Sequence, residues 1–340
     1  MLKKYVLFLL ILFNCLLLFG CSCGSSSNPD SEDSSAKSIV LDQAAVEQEA
    51  KALQTSLQPA QSLVIKPVPS GKAVEENQYA RIDYSNASEG YVMVQYTAAS
   101  DKKLKSQVVG PSTTYTYTLT QGEWTVFPLS DGNGSYQIKV YENIEGTRYV
   151  QVLSTDVTVS LQDEFAPFIR PNQYVNYENA VNTIATANVL TRDLTDILDK
   201  VNVIYHYIVE TIDYDYEKAA TVESGYLPDL DAVLAAKKGI CFDYASLMTG
   251  MFRSQGIPCK LVVGYAGTTY HAWISVWSED TGWIDGAVYF NGTSWQLLDP
   301  TFAATSGTTS ASSNTNSATG SPSDSAPVGD GVNYTTKYIY

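Results

Sequence analysis

A change in hydrophobic pattern near residue 163 constrains the fold of this 340-residue chain more than any other feature. Before that point apolar residues alternate with polar ones, which is the period of a half-buried β-strand. After it they recur every three to four residues, which is the period of an amphipathic helix. The chain is therefore expected to contain two folded parts, and its length suits two domains of ~150 residues each.

The alternating part predicts a β-sandwich. Short runs with period two occur between residues 78 and 161, for example over residues 90–97, 113–119 and 136–141, and turn-forming residues separate them. About seven short strands at this spacing are typical of an immunoglobulin- or fibronectin-like sandwich. We place this domain at residues 76–162 and assign it no chemistry. A helical and proline-rich connector is expected before it, over residues 41–75.

The part after residue 163 predicts an α+β domain. Five apolar residues recur on one face of a helix, at Ile197, Val201, Ile204, Tyr205 and Ile208. A second helix is expected from near Asp231 to Lys238, with Gly239 just beyond its end, and a third after Cys241. Helices followed by antiparallel strands define this class of fold.

Three strand-like runs follow the helices, over residues 260–265, 272–277 and 295–298. Residues 303–327 are too rich in Ser, Thr, Asn and Gly to pack, so they are expected to form a disordered insertion. Residues 333–340 are a candidate last strand. The α+β domain is therefore assigned to residues 163–340.

The first forty residues predict export and anchoring. Lys3 and Lys4 precede an uncharged apolar run of signal-peptide length, which is short for a helix that spans a membrane. The run ends with Leu18-Phe-Gly-Cys21, which resembles the bacterial lipobox. That resemblance implies a lipoprotein signal peptide at residues 1–20 and a diacylglycerol on Cys21. The alternative is an ordinary secretory signal or an uncleaved anchor.

The serine-rich segment after Cys21 predicts a flexible tether over residues 21–40. Together with the lipobox, it implies an extracytoplasmic protein that is lipid-anchored to a bacterial cell membrane.

Composition excludes several classes of protein. Hydrophobic residues make up 44% of the chain and charged residues 17%, so a fully disordered chain is excluded. The formal net charge of −15 argues against binding to nucleic acid phosphates. Two histidines and five cysteines are too few for a multi-zinc protein, and no nucleotide-binding loop or EF-hand motif occurs. We therefore expect no cofactor.

Three residues are candidates for a catalytic triad. Cys241 lies at a predicted helix start, where the helix dipole and free amides favour an anion, lower the pKa of a thiol and could hold an oxyanion. His271 is expected to open a strand, and Asp299 ends a later one. A nucleophile, a base and an orienting carboxylate are the general parts of such a site. Cys259 and His206 are expected to be structural.

Five motifs surround these residues: Gly239-Ile-Cys-Phe-Asp-Tyr-Ala245, Gly256-Ile-Pro258, Val262-Val-Gly-Tyr265, His271-Ala-Trp273 and Trp295-Gln-Leu-Leu-Asp-Pro-Thr301. In this order they resemble the transglutaminase-like core family, over about residues 201–302. The resemblance implies a papain-like fold with Cys241 as nucleophile, His271 as base and Asp299 as the residue that orients the base. The link between the His and Asp strands is longer than in the family, which leaves Asp285 as a rival third member.

The leading hypothesis is a membrane-anchored extracytoplasmic thiol enzyme that acts on peptide or protein amide bonds through a thioester. Cell-envelope peptides are candidate substrates. Protease, deamidase and transamidase reactions share the thioester and differ in the second nucleophile, so the sequence leaves them open. The alternative is a catalytically inactive surface binding or adhesion protein that retains the transglutaminase-like scaffold.

Overall fold

The computed structural model describes residues 41–56, 64–290, 295–297 and 334–340. Cys21 with its lipobox, the serine-rich tether, Asp299 and the insertion at residues 303–327 lie outside the described residues. Contacts group the chain from Ile39 to Tyr340 into one compact unit. Among the described helices, none is both long and apolar enough to cross a membrane.

Eight strands form the first folded part. They are β1 (Val74–Glu76), β2 (Ala80–Asp83), β3 (Tyr91–Tyr96), β4 (Leu104–Val109), β5 (Thr114–Leu119), β6 (Trp124–Pro128), β7 (Gly134–Glu145) and β8 (Arg148–Val159). One antiparallel sheet has the order β1-β2-β3-β6, and the other has the order β5-β4-β7-β8. A short 3-10 helix, Ala87–Glu89, precedes β3, and another, Ala166–Phe168, follows β8. The predicted β-sandwich is confirmed.

Strand β5 shows why the alternating pattern predicts this architecture. Its three threonines are exposed, whereas Tyr115, Tyr117 and Leu119 are buried between the sheets. Successive side chains of a strand point to opposite faces, so one face builds the core and the other meets water.

The described residues of the other part form six helices and seven strands. The helices are α1 (Gln43–Ser56), α2 (Val181–Thr191), α3 (Ile197–Thr211), α4 (Tyr216–Thr221), α5 (Leu230–Ala236) and α6 (Cys241–Ser254). The strands are β9 (Asp213–Tyr214), β10 (Lys238–Gly239), β11 (Cys259–Ala266), β12 (Thr269–Ser278), β13 (Gly282–Phe290), β14 (Trp295–Leu297) and β15 (Tyr334–Ile339). An antiparallel sheet has the order β14-β13-β12-β11-β15, so the predicted α+β class is confirmed.

Helix α6 lies at the centre of this part. Its residues from Asp243 to Ser254 are buried, and it packs against three other helices (α2, α3 and α5) and against β11 and β12. The helix therefore holds its first residue, Cys241, at a fixed place beside the sheet.

The predicted end of α5 is wrong in detail. The helix ends at Ala236, and Lys237 rather than Gly239 adopts the left-handed conformation, with φ of 53°. Gly239 is needed for a different reason, because a Cβ there would lie 2.8 Å from Cβ of Asp243. The glycine thus allows the backbone before α6 to approach the carboxylate closely.

A tyrosine cluster joins the sandwich to the helical part. The ring of Tyr340 lies 5.7 Å from that of Tyr115 and 6.0 Å from that of Tyr117, both in β5. Tyr174 also contacts Tyr340, at 4.4 Å between ring centroids. The buried guanidinium of Arg253 donates to the carbonyl of Tyr340 at 2.7 Å, so the same residue is tied to α6. These contacts make the interface apolar and closely packed.

Candidate active site

Burial controls the protonation of Cys241, which is the first residue of α6. It raises the pKa of the half-buried thiol to about 11, although hydrogen bonds from the backbone amides of Ala272 and Phe242 favour the thiolate. The expected lowering of this pKa is therefore wrong. Loss of water around the sulfur outweighs the hydrogen bonds from the two amides.

His271 lies inside β12 rather than at its first residue, and it pairs with Gly264 of β11. Only 6% of the residue is exposed. Burial lowers the pKa of the imidazole to about 4, because the charged form loses its hydration. The side chain is therefore neutral at pH 7.

Strand β12 brings the histidine to the start of α6. Ala272, the residue directly after His271, hydrogen bonds the sulfur of Cys241 through its backbone amide. The structure thus brings together two of the three residues that the sequence selects, from segments thirty positions apart.

Tyr214 adds a hydroxyl group to the site that the sequence did not select. In β9, it lies opposite Gly239 of β10, two residues before Cys241. Burial raises the pKa of Tyr214 to about 12, and its hydroxyl contacts both the thiol and the backbone amide of Cys241. A two-residue strand has no periodic pattern, so no sequence signal predicts its place.

Exposed tyrosine rings flank the thiol. Tyr216 is 74% exposed, Tyr270 is 54% exposed and Tyr265 is 37% exposed. The rings of Tyr265 and Tyr270 pack at 5.4 Å, and those of Tyr214 and Tyr216 at 4.9 Å. Tyr270 lies close enough to Cys241 for the sulfur to affect its pKa, which burial raises. These rings form an aromatic surface next to the sulfur.

A buried carboxylate lies one turn into α6. Asp243 is fully buried, and its Oδ2 accepts hydrogen bonds from the backbone amide of Ile240 at 2.9 Å and from Nζ of Lys218 at 2.6 Å. Its Oδ1 accepts a hydrogen bond from the hydroxyl of Tyr226 at 2.6 Å. Hydrogen bonding at the helix start therefore accounts for the burial of Asp243, and no sequence pattern predicts its contacts with Lys218 and Tyr226.

The third member of the triad stays a prediction, because Asp299 lies outside the described residues. Asp285 is exposed and acts electrostatically on Lys260, which pairs with Ser275 of β12. Ser275 is four residues from His271, or ~13 Å along a strand. The structure therefore does not bring Asp285 to the histidine.

The other candidate side chains lie apart from this site. Cys259 is buried, and its thiol contacts the hydroxyl of Thr249 at 3.6 Å. His206 is partly exposed on α3 and lies 3.5 Å from Glu210. Within the described parts of the chain, no three His, Cys, Asp or Glu side chains are close enough together to hold a metal ion.

One segment of the chain matches a known protein family. Residues 184–300 match the model of the transglutaminase-like superfamily. This segment contains Cys241, His271, Asp285 and Asp299. A comparison with curated protein sequences found no match.

Solved structures that match this chain include two bacterial proteins and one fish enzyme. A proposed cysteine protease from Cytophaga hutchinsonii has 16% identity and a TM-score of 0.33, with 57% of this chain and 73% of that chain covered. A proposed protease from Parabacteroides distasonis has 14% identity and a TM-score of 0.27, with coverage of 65% and 63%. Red sea bream transglutaminase has 12% identity and a TM-score of 0.25, with 75% of this chain and about half (52%) of that enzyme covered.

Proposed function

Because the chain carries a transglutaminase-like domain, we propose that it is a thiol enzyme that acts on peptide or protein amide bonds through a thioester. The observation that supports this most strongly is the contact between the Cys241 sulfur and the backbone of Ala272, which is adjacent to His271. A nucleophile at a helix start and a base on the neighbouring strand are the two groups that the first chemical step needs.

In the proposed reaction, Cys241 gives its proton to His271 while the sulfur attacks the amide carbonyl carbon. The proposed donors to the resulting oxyanion are backbone amides at the start of α6. The imidazolium then protonates the leaving nitrogen, the carbon–nitrogen bond breaks and a thioester remains. Water or an amine attacks the thioester, His271 takes the proton of that nucleophile, and the thiol is released after reprotonation.

The resting pair is uncharged in this mechanism. With pKa values of about 11 for the thiol and about 4 for the imidazole, an ion pair is unfavourable before substrate binds. Proton transfer is therefore coupled to carbon–sulfur bond formation. The proposed role of Asp299 is to orient His271 and stabilise its charged form.

Incubation of the protein with labelled peptide libraries, analysed by mass spectrometry, tests the proposal. Hydrolysis splits a peptide with the addition of water, deamidation converts Gln to Glu, and transamidation joins an amine to the peptide. One of these products is expected from the wild-type protein and none from Cys241→Ala. Equal product from both proteins would contradict a thiol mechanism.

The unfavourable ion pair also favours a second candidate, a binding or adhesion protein that retains the scaffold without activity. Alkylation of Cys241 by iodoacetamide at neutral pH separates the two functions. An active base makes the wild-type thiol react faster than the thiol of His271→Ala. Equal rates would support the binding protein.

The proposed location is the outer side of a bacterial cell membrane, with a lipid on Cys21. The support for this location is the lipobox-like Leu18-Phe-Gly-Cys21 and the serine-rich tether that follows it. Cys21→Ala is expected to leave the membrane fraction or to accumulate as unprocessed precursor. Normal processing and localisation of this variant would contradict lipidation.

A further inference from the structure

The hydrogen-bonded cluster of Lys218, Tyr226 and Asp243 has no place in the proposed reaction, although Asp243 is two residues from Cys241 in the first turn of α6. Lys218 contacts both other members, with Nζ 2.6 Å from the Tyr226 hydroxyl and 2.6 Å from Asp243 Oδ2. Its ammonium group also lies 4.3 Å from the centre of the Tyr226 ring. The lysine therefore links α4, the loop after it and the start of α6.

We propose that Lys218 is a positioning residue for Cys241, which holds the first turn of α6 against α4 and balances the buried charge of Asp243. The inference rests on the proposed thiol chemistry, because it concerns how readily the sulfur ionises. Lys218 acts through Asp243 and does not itself contact a reacting atom.

The first part of the argument is geometric. Asp243 accepts a hydrogen bond from the backbone amide of Ile240, the residue directly before Cys241. Lys218 lies in α4, and Asp215 caps the start of this helix. The backbone amide of Asp215 donates a hydrogen bond to the carbonyl of Gly239. The chain on both sides of the helix start is thus tied to the segment that contains Tyr214. Loss of the Lys218 ammonium removes one of these ties.

The second part concerns charge. The thiol of Cys241 interacts with Asp243 on its own helix, with Tyr270 of β12 and with Tyr214 of β9. His271 of β12 is adjacent to Ala272, whose backbone amide hydrogen bonds the sulfur. The imidazole and both phenols are neutral at pH 7, because burial lowers the pKa of the first and raises those of the others. Burial is the largest cause that opposes thiolate formation, and the Asp243 carboxylate is a charged group that adds to it.

Lys218 supplies the counter-charge to that carboxylate. Its side chain is 27% exposed and pairs with the fully buried Asp243. Asp215 also acts on Lys218 and pairs with Lys238 at 3.3 Å, and Asp229 acts on Tyr226. When the partner of a buried carboxylate is removed, the negative charge of the carboxylate is no longer balanced and acts more strongly on its neighbours. The Cys241 thiol then becomes harder to ionise.

The test is the alkylation rate of Cys241 in the full-length protein over a pH series, measured on the peptide that contains this residue. Lys218→Met is expected to slow the reaction roughly tenfold at neutral pH and to move the midpoint of the profile to higher pH. Lys218→Arg, which keeps the charge, is expected to restore most of the rate. Lys238→Met removes an equal charge from a nearby exposed position, and its rate is expected to stay within about twofold of wild type.

Three outcomes would overturn the inference. They are a Lys218→Met profile that matches that of Lys238→Met, a faster reaction than wild type, and no recovery in Lys218→Arg. If Lys218→Met does not fold, as judged by circular dichroism, Tyr226→Phe replaces it, since this variant keeps every charge and removes one donor to Asp243. An unchanged rate in that variant would overturn the inference as well. Failure of the thiol enzyme itself is distinguishable, because it appears as equal rates in wild type and His271→Ala.

Discussion

Burial sets the behaviour of the two reactive side chains, and in opposite directions. It raises the pKa of Cys241 to about 11 and lowers that of His271 to about 4, so both are neutral over a wide pH range. The same burial that removes competing water also makes charge separation costly. A charged group near the sulfur therefore affects the ionisation of this buried thiol more than it would affect that of an exposed thiol.

The buried histidine predicts that acid destabilises the protein. The pKa of His271 is about 4 in the folded protein against 6.5 ordinarily, so between these values the unfolded chain binds a proton that the folded chain does not. The free energy of unfolding is therefore expected to fall by about 3 kcal/mol from this group as pH falls from 6.5 to 4. Urea titrations over this range measure the loss. The control is His271→Gln, and parallel curves for the two proteins would contradict the prediction.

Substitutions at the candidate catalytic residues are expected to differ in severity. Cys241→Ala should abolish product formation, because it removes the nucleophile. His271→Ala should cost nearly as much, since members of a triad act as a unit. Initial rates on a peptide substrate from the library screen measure both effects. Cys259→Ala, at a buried thiol away from the site, is the control and should change stability alone. Full activity in His271→Ala would contradict the assigned base.

The two candidate carboxylates are separated by a paired test. Asp299→Ala is expected to lower the rate by ~10²–10⁴, because the imidazole is then less well oriented. Asp285→Ala should be nearly neutral, since its carboxylate lies near Lys260 rather than His271. The reverse order of effects would assign the third role to Asp285.

At the scale of helices and strands, the sequence predicts best those elements that have one apolar and one polar face. The sequence predicts α3, α6, β11, β12 and β15 closely, because each has a clear apolar face or a strong start or stop signal. Helix α2 was not predicted, since most of its residues are buried on all sides and no period remains. Helix α4, which carries Lys218, buries none of its six residues and so has no apolar face to recognise.

The sequence predicts the residues of the site that stand in clear motifs and misses those in short or irregular segments. Cys241 and His271 stand in motifs with a specific order, so the sequence selects them. Tyr214, Lys218 and Tyr226 come from short or irregular segments, and only the folded chain brings them to α6. The direction of the Cys241 pKa could not be predicted either, because burial of a helix start depends on the strands packed beside it.

Strand β15 depends on one glycine of the neighbouring strand. A Cβ at Gly264 would overlap the carbonyl oxygen of Thr335 in β15 and lie 2.9 Å from the Trp273 ring. Gly264→Ala is expected to cost about 3 kcal/mol and to separate the two strands locally. Thermal unfolding and hydrogen exchange of the β15 amides measure this.

The matched control is Gly267→Ala, in the turn after β11. A Cβ at Gly267 meets open space, and the cost comes from its φ of 60°. About 1 kcal/mol is expected there, without a change in exchange at β15. Equal effects at both glycines would contradict the steric account.

At the scale of the whole molecule, the sandwich and the helical part share an apolar boundary. Tyr117 is 1% exposed because Tyr174 and Tyr340 cover it. A fragment of residues 76–162 is still expected to fold, since both of its sheets are nearly complete, but with a lower melting temperature than the full chain. Circular dichroism melts of both proteins test this. A fragment without β-structure would contradict independent folding of the sandwich.

The place of β15 also has a consequence for the order in which the chain can fold. Tyr340 contacts Tyr115, so 225 positions separate two neighbours in the core. Contacts of such long range form late, because a large loop must close before they stabilise anything. During synthesis the sandwich can collapse early, whereas the sheet beside the thiol leaves β11 unpaired on one side until β15 leaves the ribosome. The pairing of β15 with β11 therefore sets when this sheet closes.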